Sequence, residues 1–206
     1  MPAKNSIKQY IENGCYHIYN RGVEKRDIFI DNQDYSVFLG YMKEYLDPSR
    51  SDPHPLSNQL SLQAFCLMPN HFHLLIKQSS IDGITKLLRA VSTRYVMYFN
   101  KKYERVGTLF QGKFKAILVQ EDAYLLHLSR YIHLNPHPGS DPKSYKYSSY
   151  GQYLSRKDSG WLNTEEILGY FKTTNNFAIK DYFSYESFVE DFNTEAELLL
   201  GNLTLE

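Results

Sequence analysis

Cysteine is scarce. Cys15 and Cys66 are the two in 206 residues, with no short spacing between them. That argues against a disulfide framework and against a cysteine zinc site. Long apolar runs are missing as well, so no segment is predicted to span a membrane. The opening "MPAKNSIKQYIENG" holds no apolar signal core, and the expectation is a cytoplasmic protein. Internal repeats and low-complexity tracts are absent, which argues against solenoid and array architectures. Net charge is absent too, with 23 basic and 23 acidic residues.

That neutrality hides an uneven distribution. Residues 79–118 hold Lys86, Arg89, Arg94, Lys101, Lys102, Arg105, Lys113 and Lys115 against Asp82 and Glu104, a balance of +6. Residues 157–206 hold three lysines against ten acids, a balance of −7. A basic middle points to a polyanionic partner, with a solvated helix face as the bland alternative. The 18 tyrosines and 12 phenylalanines suit either a core or a surface that stacks on flat groups.

Hydrophobic period places the elements. Residues 15–22 read as a strand ending at Gly22. Tyr35, Phe38, Leu39, Met42 and Leu46 recur at helical spacing, with Asp31 or Asn32 as cap. Residues 59–68 and 71–78 form a hairpin about the Pro69-Asn70 turn. A helix over 82–103 follows, with Ile84, Leu87, Leu88, Val91, Tyr95 and Tyr98 along one face. Residues 108–120 read as extended, and 121–135 as a helix stopped by Pro136. Residues 136–154 read as a linker, followed by short helices. The order strand, helix, strand, strand, helix, strand predicts an α+β fold. It is a ferredoxin-like split βαβ antiparallel sheet with helices, plus a helical C-terminal extension. The predicted units are a domain over 10–155 and an acidic helical extension over 156–206.

The hairpin carries the most unusual feature, "MPNHFHLLIK". Alternation along a strand turns His71 and His73 to one face and Phe72 and Leu74 to the other. Cα atoms two apart in a strand are about 7 Å apart, close enough for two imidazoles to share one divalent ion. Two ligands leave room for a third group and for water or substrate. A lone His-x-His is a weak signal, and strand histidines often serve hydrogen-bond networks. A histidine-triad hydrolase, a metallo-β-lactamase and a cupin each require other residues where Leu75, Ile76, Lys77 and Gln78 stand.

The second feature is "LLHLSRYIHLNP". His127, Tyr131 and Asn135 are spaced by four and share one helix face, while Leu125, Leu128 and Ile132 form a stripe that can pack on the sheet. If that face meets the histidine strand, Tyr131 becomes a candidate nucleophile and Asn135 a third metal ligand, with His127 as its rival. His133 points elsewhere and reads as structural. Two imidazoles and an amide oxygen leave about half an octahedral shell open, which suits Mg²⁺ or Mn²⁺. With 18 tyrosines in the chain, a plain core tyrosine is the competing reading of Tyr131.

Together, "MPNHFHLLI" and "SRYIHLNP" resemble the HUH single-tyrosine transposases, IS200-like transposases among them. The resemblance is to the branch associated with repetitive extragenic palindromes. "CYHIYNRGVEKRDIF" resembles that family's opening strand and turn, and "GTLFQGKFKAILV" its segment before the tyrosine helix. The likeness covers about residues 10–155. It implies a metal-dependent single-stranded DNA endonuclease and strand transferase that recognises DNA hairpins. His71 and His73 match the metal ligands. Tyr131 matches the nucleophile that takes the 5′ phosphate and frees a 3′-OH. Insertion-sequence members carry Gln where Asn135 stands, and the shorter amide leaves the third ligand open between Asn135 and His127. Homodimer and monomer are both known in the family. Arg21, Arg89, Arg94, Lys101, Lys102, Arg105, Lys113 and Lys115 are candidate phosphate contacts, with Phe110, Phe114 and Tyr103 as stacking platforms. The alternative function is a catalytically slow or inactive hairpin-binding protein.

Overall fold

A computed structural model describes residues 10–49, 56–136, 140–155, 160–172, 182 and 184–191. Much of the acidic tail, including the run after Asp191, lies outside these residues.

β1 (Cys15–Arg21), α1 (Asn32–Leu46), β2 (Leu60–Met68), β3 (His71–Gln78), α2 (Gly83–Lys102) and β4 (Lys115–Val119) follow in chain order. The sheet runs β2-β3-β1-β4 with every neighbour antiparallel. This is the split βαβ arrangement expected from the element order. Asp31 caps α1, accepting from the Gln33 and Asp34 amides at 3.0 and 3.1 Å, while the Asp34 carboxylate accepts from the Asp31 amide. Tyr35, Phe38, Met42 and Leu46 then bury one face of α1. In α2 the buried stripe runs Ile84, Leu87, Leu88, Val91, Tyr95 and Phe99. Phe99 ends the stripe where Tyr98 was expected, because it stands a full helical turn after Tyr95. Both helices cover the sheet face of Phe72, and Phe38 meets that ring at 5.3 Å.

The hairpin turn is held by the segment after β1. The Pro69 carbonyl accepts from the Ile28 and Phe29 amides at 2.7 and 2.9 Å, and the Asn70 carbonyl from Gly22 at 2.8 Å. Gly22 is required by close approach, since a Cβ there would lie 2.1 Å from the Arg26 carbonyl oxygen.

Two sequence expectations change. The fourth strand is Lys115–Val119, shorter than 108–120. Upstream of it, Gly107 and Gly112 take φ of 96° and 74°, and Leu109 and Phe110 turn into the core. The stretch expected as a linker covers the outer edge of β2. Leu67 donates to the Tyr147 carbonyl at 2.9 Å, and Ser149 to that of Phe65 at 3.0 Å. An uncovered edge would leave those backbone groups to pair with other chains.

α3 (Asp122–Leu134) crosses the other face of the sheet. α4 (Tyr150–Ser155), α5 (Glu165–Gly169) and α6 (Tyr185–Glu190) follow. Tyr185, Phe188 and Val189 of α6 are buried in the same core as Ile132 of α3. α6 of the acidic extension is therefore packed against α3. No helix among the described residues is long and apolar enough to cross a membrane.

Candidate active site

The strand register builds the site. Tyr19 pairs with His73, Arg21 with His71 and His17 with Leu75. Because strand faces alternate, His17, Tyr19, Arg21, His71 and His73 share one face. α3 covers that face and buries Leu125, Leu128 and Ile132. Its Tyr131 ring stands edge-on to His73 at 5.4 Å and to His17 at 6.4 Å between centroids. His71 lies 5.2 Å from His73 by the same measure. The fold thus gathers His71, His73 and Tyr131 from residues some sixty apart in sequence.

Each imidazole has one nitrogen committed. His71 Nδ1 lies 2.5 Å from Asn70 Oδ1, an acceptor, so Nδ1 carries the proton and Nε2 keeps its lone pair. His73 Nδ1 lies 2.7 Å from His17 Nε2, and its own Nε2 is buried without a hydrogen-bond partner. A buried polar atom left so is costly unless something else meets it. Burial, with Arg21 nearby, pushes the His71 pKa down to about 4. Burial, then the neighbouring His17 and His71, drives His73 well below the ordinary imidazole value. Both rings are neutral at neutral pH, the form that ligates metal. The orphaned Nε2 and the two neutral rings fit a divalent cation.

For the third ligand, Asn135 caps the C-terminus of α3 one turn after Tyr131 and is half-buried. His127 is not brought to the pair. Its Nδ1 accepts from Arg130 at 2.6 Å, and its ring packs against Phe188 at 5.6 Å, toward α6. No group of three His, Cys, Asp or Glu side chains suited to a metal gathers among the described residues. His133 is structural as expected, bonded to Tyr185 at 2.6 Å and Ser149 at 2.7 Å.

The basic residues divide. Arg21, on the histidine face, donates to Gln111 at 2.5 Å, and Lys115 stands opposite Tyr19 on that face. Lys101 and Lys113 are exposed, as is Arg89, which lies on α2 across the sheet. Four candidates are otherwise engaged. Arg94 is ion-paired with Glu44 and lies 4.0 Å over the Tyr41 ring. Lys102 bridges Asp31 and Asp34 at 2.7 and 2.8 Å. Arg105 donates to Asn100 at 3.1 Å. Tyr103 donates to Asp34 at 2.7 Å. Phe110 is not a stacking platform: it is buried against Phe72 and Tyr95. Phe114 is half-buried against the core.

One site residue escaped the sequence reading. His17 touches His73 directly, and its signal was present: the split βαβ order sets β1 beside β3, and His17 shares a strand phase with Tyr19 and Arg21.

Fold and site together define a class, a split βαβ sheet that presents a His-x-His pair to a tyrosine on a covering helix. The family model described as "Transposase IS200 like" matches residues 15–135. The chain belongs to that family, and is a transposase, a DNA-processing enzyme. Among solved structures it is similar to a REP-associated tyrosine transposase bound to a REP hairpin. That match has 14% identity and a TM-score of 0.57, covering 76% of this chain and 90% of the other. It is also similar to a transposase-like protein from Deinococcus radiodurans R1, at 13% identity and a TM-score of 0.39, covering 66% and 98%. No curated protein matches the chain.

Proposed function

We propose that this transposase is a metal-dependent single-stranded DNA endonuclease and strand transferase that recognises DNA hairpins and works through a 5′-phosphotyrosine. The observation that carries this reading is the Tyr131 ring 5.4 Å from His73, whose buried Nε2 has no other partner. Membership of the family and the hairpin held by the REP-associated structural neighbour support it.

His71 and His73 would hold the cation through Nε2, with the side-chain oxygen of Asn135 as third ligand. A divalent cation there, Mg²⁺ or Mn²⁺, supplies Lewis-acid polarisation of the scissile phosphate. Tyr131 Oη forms the new bond to phosphorus, and the bond from phosphorus to the 3′ oxygen breaks. The phenol gives up its proton, and the departing oxygen takes one up as a free 3′-OH. Attack by a 3′-OH on the phosphotyrosine reverses the step and rejoins DNA. Arg21, beside His71, would meet a phosphate oxygen, and Lys113 and Lys115 the adjoining backbone.

Labelled single-stranded oligonucleotides from palindromes flanking the gene, incubated with Mn²⁺ or Mg²⁺, test this. A denaturant-resistant adduct that requires metal and is lost in Tyr131→Phe is expected. Tight hairpin binding without an adduct in either metal would replace the enzyme with a hairpin-binding protein.

A further inference from the structure

We infer that His17 is a positioning residue for the metal site: as hydrogen-bond acceptor it holds the His73 proton on Nδ1, so that His73 Nε2 keeps a lone pair for the cation. This rests on the metal-dependent reading above and extends it to a residue that acts through His73.

The geometry allows two proton arrangements across the 2.7 Å contact between His17 Nε2 and His73 Nδ1. If His17 donates, His73 must carry its proton on Nε2. The ring then cannot ligate through either nitrogen. If His73 donates, His17 carries its own proton on Nδ1, and His73 Nε2 is left as a bare lone pair. Only the second arrangement makes His73 a ligand, and a bound cation selects it. Metal-bound histidines generally have their second nitrogen fixed by such a partner, which sets tautomer and ring orientation.

His17 is built to hold that role. It is fully buried on β1, between β3 and β4, so its backbone is fixed from both sides. Its ring lies nearly coplanar with His73, edge to edge, at 4.9 Å between centroids and 21°, and 5.0 Å from Tyr19. His71 obtains the same service from Asn70, one residue away in the turn. Each ligand thus has a neutral partner. A carboxylate there would add negative charge beside the cation. A neutral imidazole leaves more of the cation's charge to act on a phosphodiester.

The test uses the full chain with Mn²⁺ alone for affinity, by calorimetry, and Mg²⁺ alone for imidazole ¹⁵N spectra. His17→Phe keeps a ring but no acceptor, and Mn²⁺ affinity is expected to fall roughly 10- to 100-fold. His17→Gln restores an acceptor oxygen and is expected to recover most of that loss. In the unmutated Mg²⁺-loaded protein, His73 is expected to show its proton on Nδ1, a result that depends on no variant. Unchanged Mn²⁺ affinity in His17→Phe, beside its loss in His73→Ala, overturns the positioning role while the metal site stands. A His73 proton found on Nε2 also overturns it. Unchanged affinity in His73→Ala would instead remove the metal site itself.

Discussion

Replacing Asp34 by alanine should destabilise the fold by about 3 kcal/mol at pH 7, the lower end of the cost of breaking a buried pair. Asp34 is fully buried at the start of α1. One carboxylate oxygen accepts from Lys102 at 2.8 Å and Tyr98 at 2.9 Å; the other accepts from Tyr103 at 2.7 Å and the Ile30 amide at 2.8 Å. Alanine leaves those donors without their acceptor. Lys102 keeps Asp31 at 2.7 Å, which places the loss at the lower end. For a chain of this size, about 3 kcal/mol is a fall in Tm of roughly 6–12 °C. Burial alone would raise the Asp34 pKa. The hydrogen bond from Lys102, then those from Ile30 and the two tyrosines, outweighs burial and lowers it. The sign follows: the folded state holds the charged form, so this stability is present above about pH 4 and is lost as pH falls through the folded pKa. Urea unfolding of wild type and Asp34→Asn at pH 7, 5 and 3.5 measures it. The gap between the two should hold from pH 7 to 5 and narrow at 3.5. A loss below about 1 kcal/mol for Asp34→Ala at pH 7, or an Asn gap that widens on acidification, refutes the reasoning.

Other predictions concern the tyrosine helix and the basic residues. His133→Ala removes a buried ring bonded at both nitrogens, which join α3 to Tyr185 and Ser149. It should cost about 2–4 kcal/mol in urea unfolding. Lys113→Ala should weaken binding of single-stranded DNA evenly across sequences and reduce its salt slope by about one. Arg94→Ala should leave that slope unchanged, because Arg94 is spent on Glu44 and Tyr41, and should alter stability by no more than about 1 kcal/mol.

The sheet order and the histidine face were legible because they rest on local rules. His71 and His73 flank Phe72 on a strand, α2 repeats its apolar residues at helical spacing, and the Pro69-Asn70 turn makes β2 and β3 a hairpin. What escaped depends on partners far apart in the chain. Charge counting placed Arg94 and Lys102 on a DNA-facing surface, yet their acids lie 50 and 68 residues away on α1. Phe110 reads as a stacking ring among lysines, but Gly107 and Gly112 let the backbone turn it into the core. For His17 the strand order sets β1 beside β3, but the register that brings it to His73 belongs to neither strand alone.

The same long-range logic explains how α3 holds Tyr131 at a fixed place. Tyr131 turns toward the histidines, while its neighbours in the chain anchor the other sides of the helix. Arg130 is buried, donates to the Phe188 carbonyl at 3.0 Å and lies 4.3 Å over that ring. Ile132 enters the core, and His133 bonds Tyr185 of α6. A helix gripped at Arg130, Ile132 and His133, on both sides of Tyr131, has little freedom to rotate. The acidic extension, which sequence alone set apart from the site, supplies two of those three grips through α6. Among the described residues, α6 thus links the extension to the placement of Tyr131, through apolar packing and hydrogen bonds that salt does not screen.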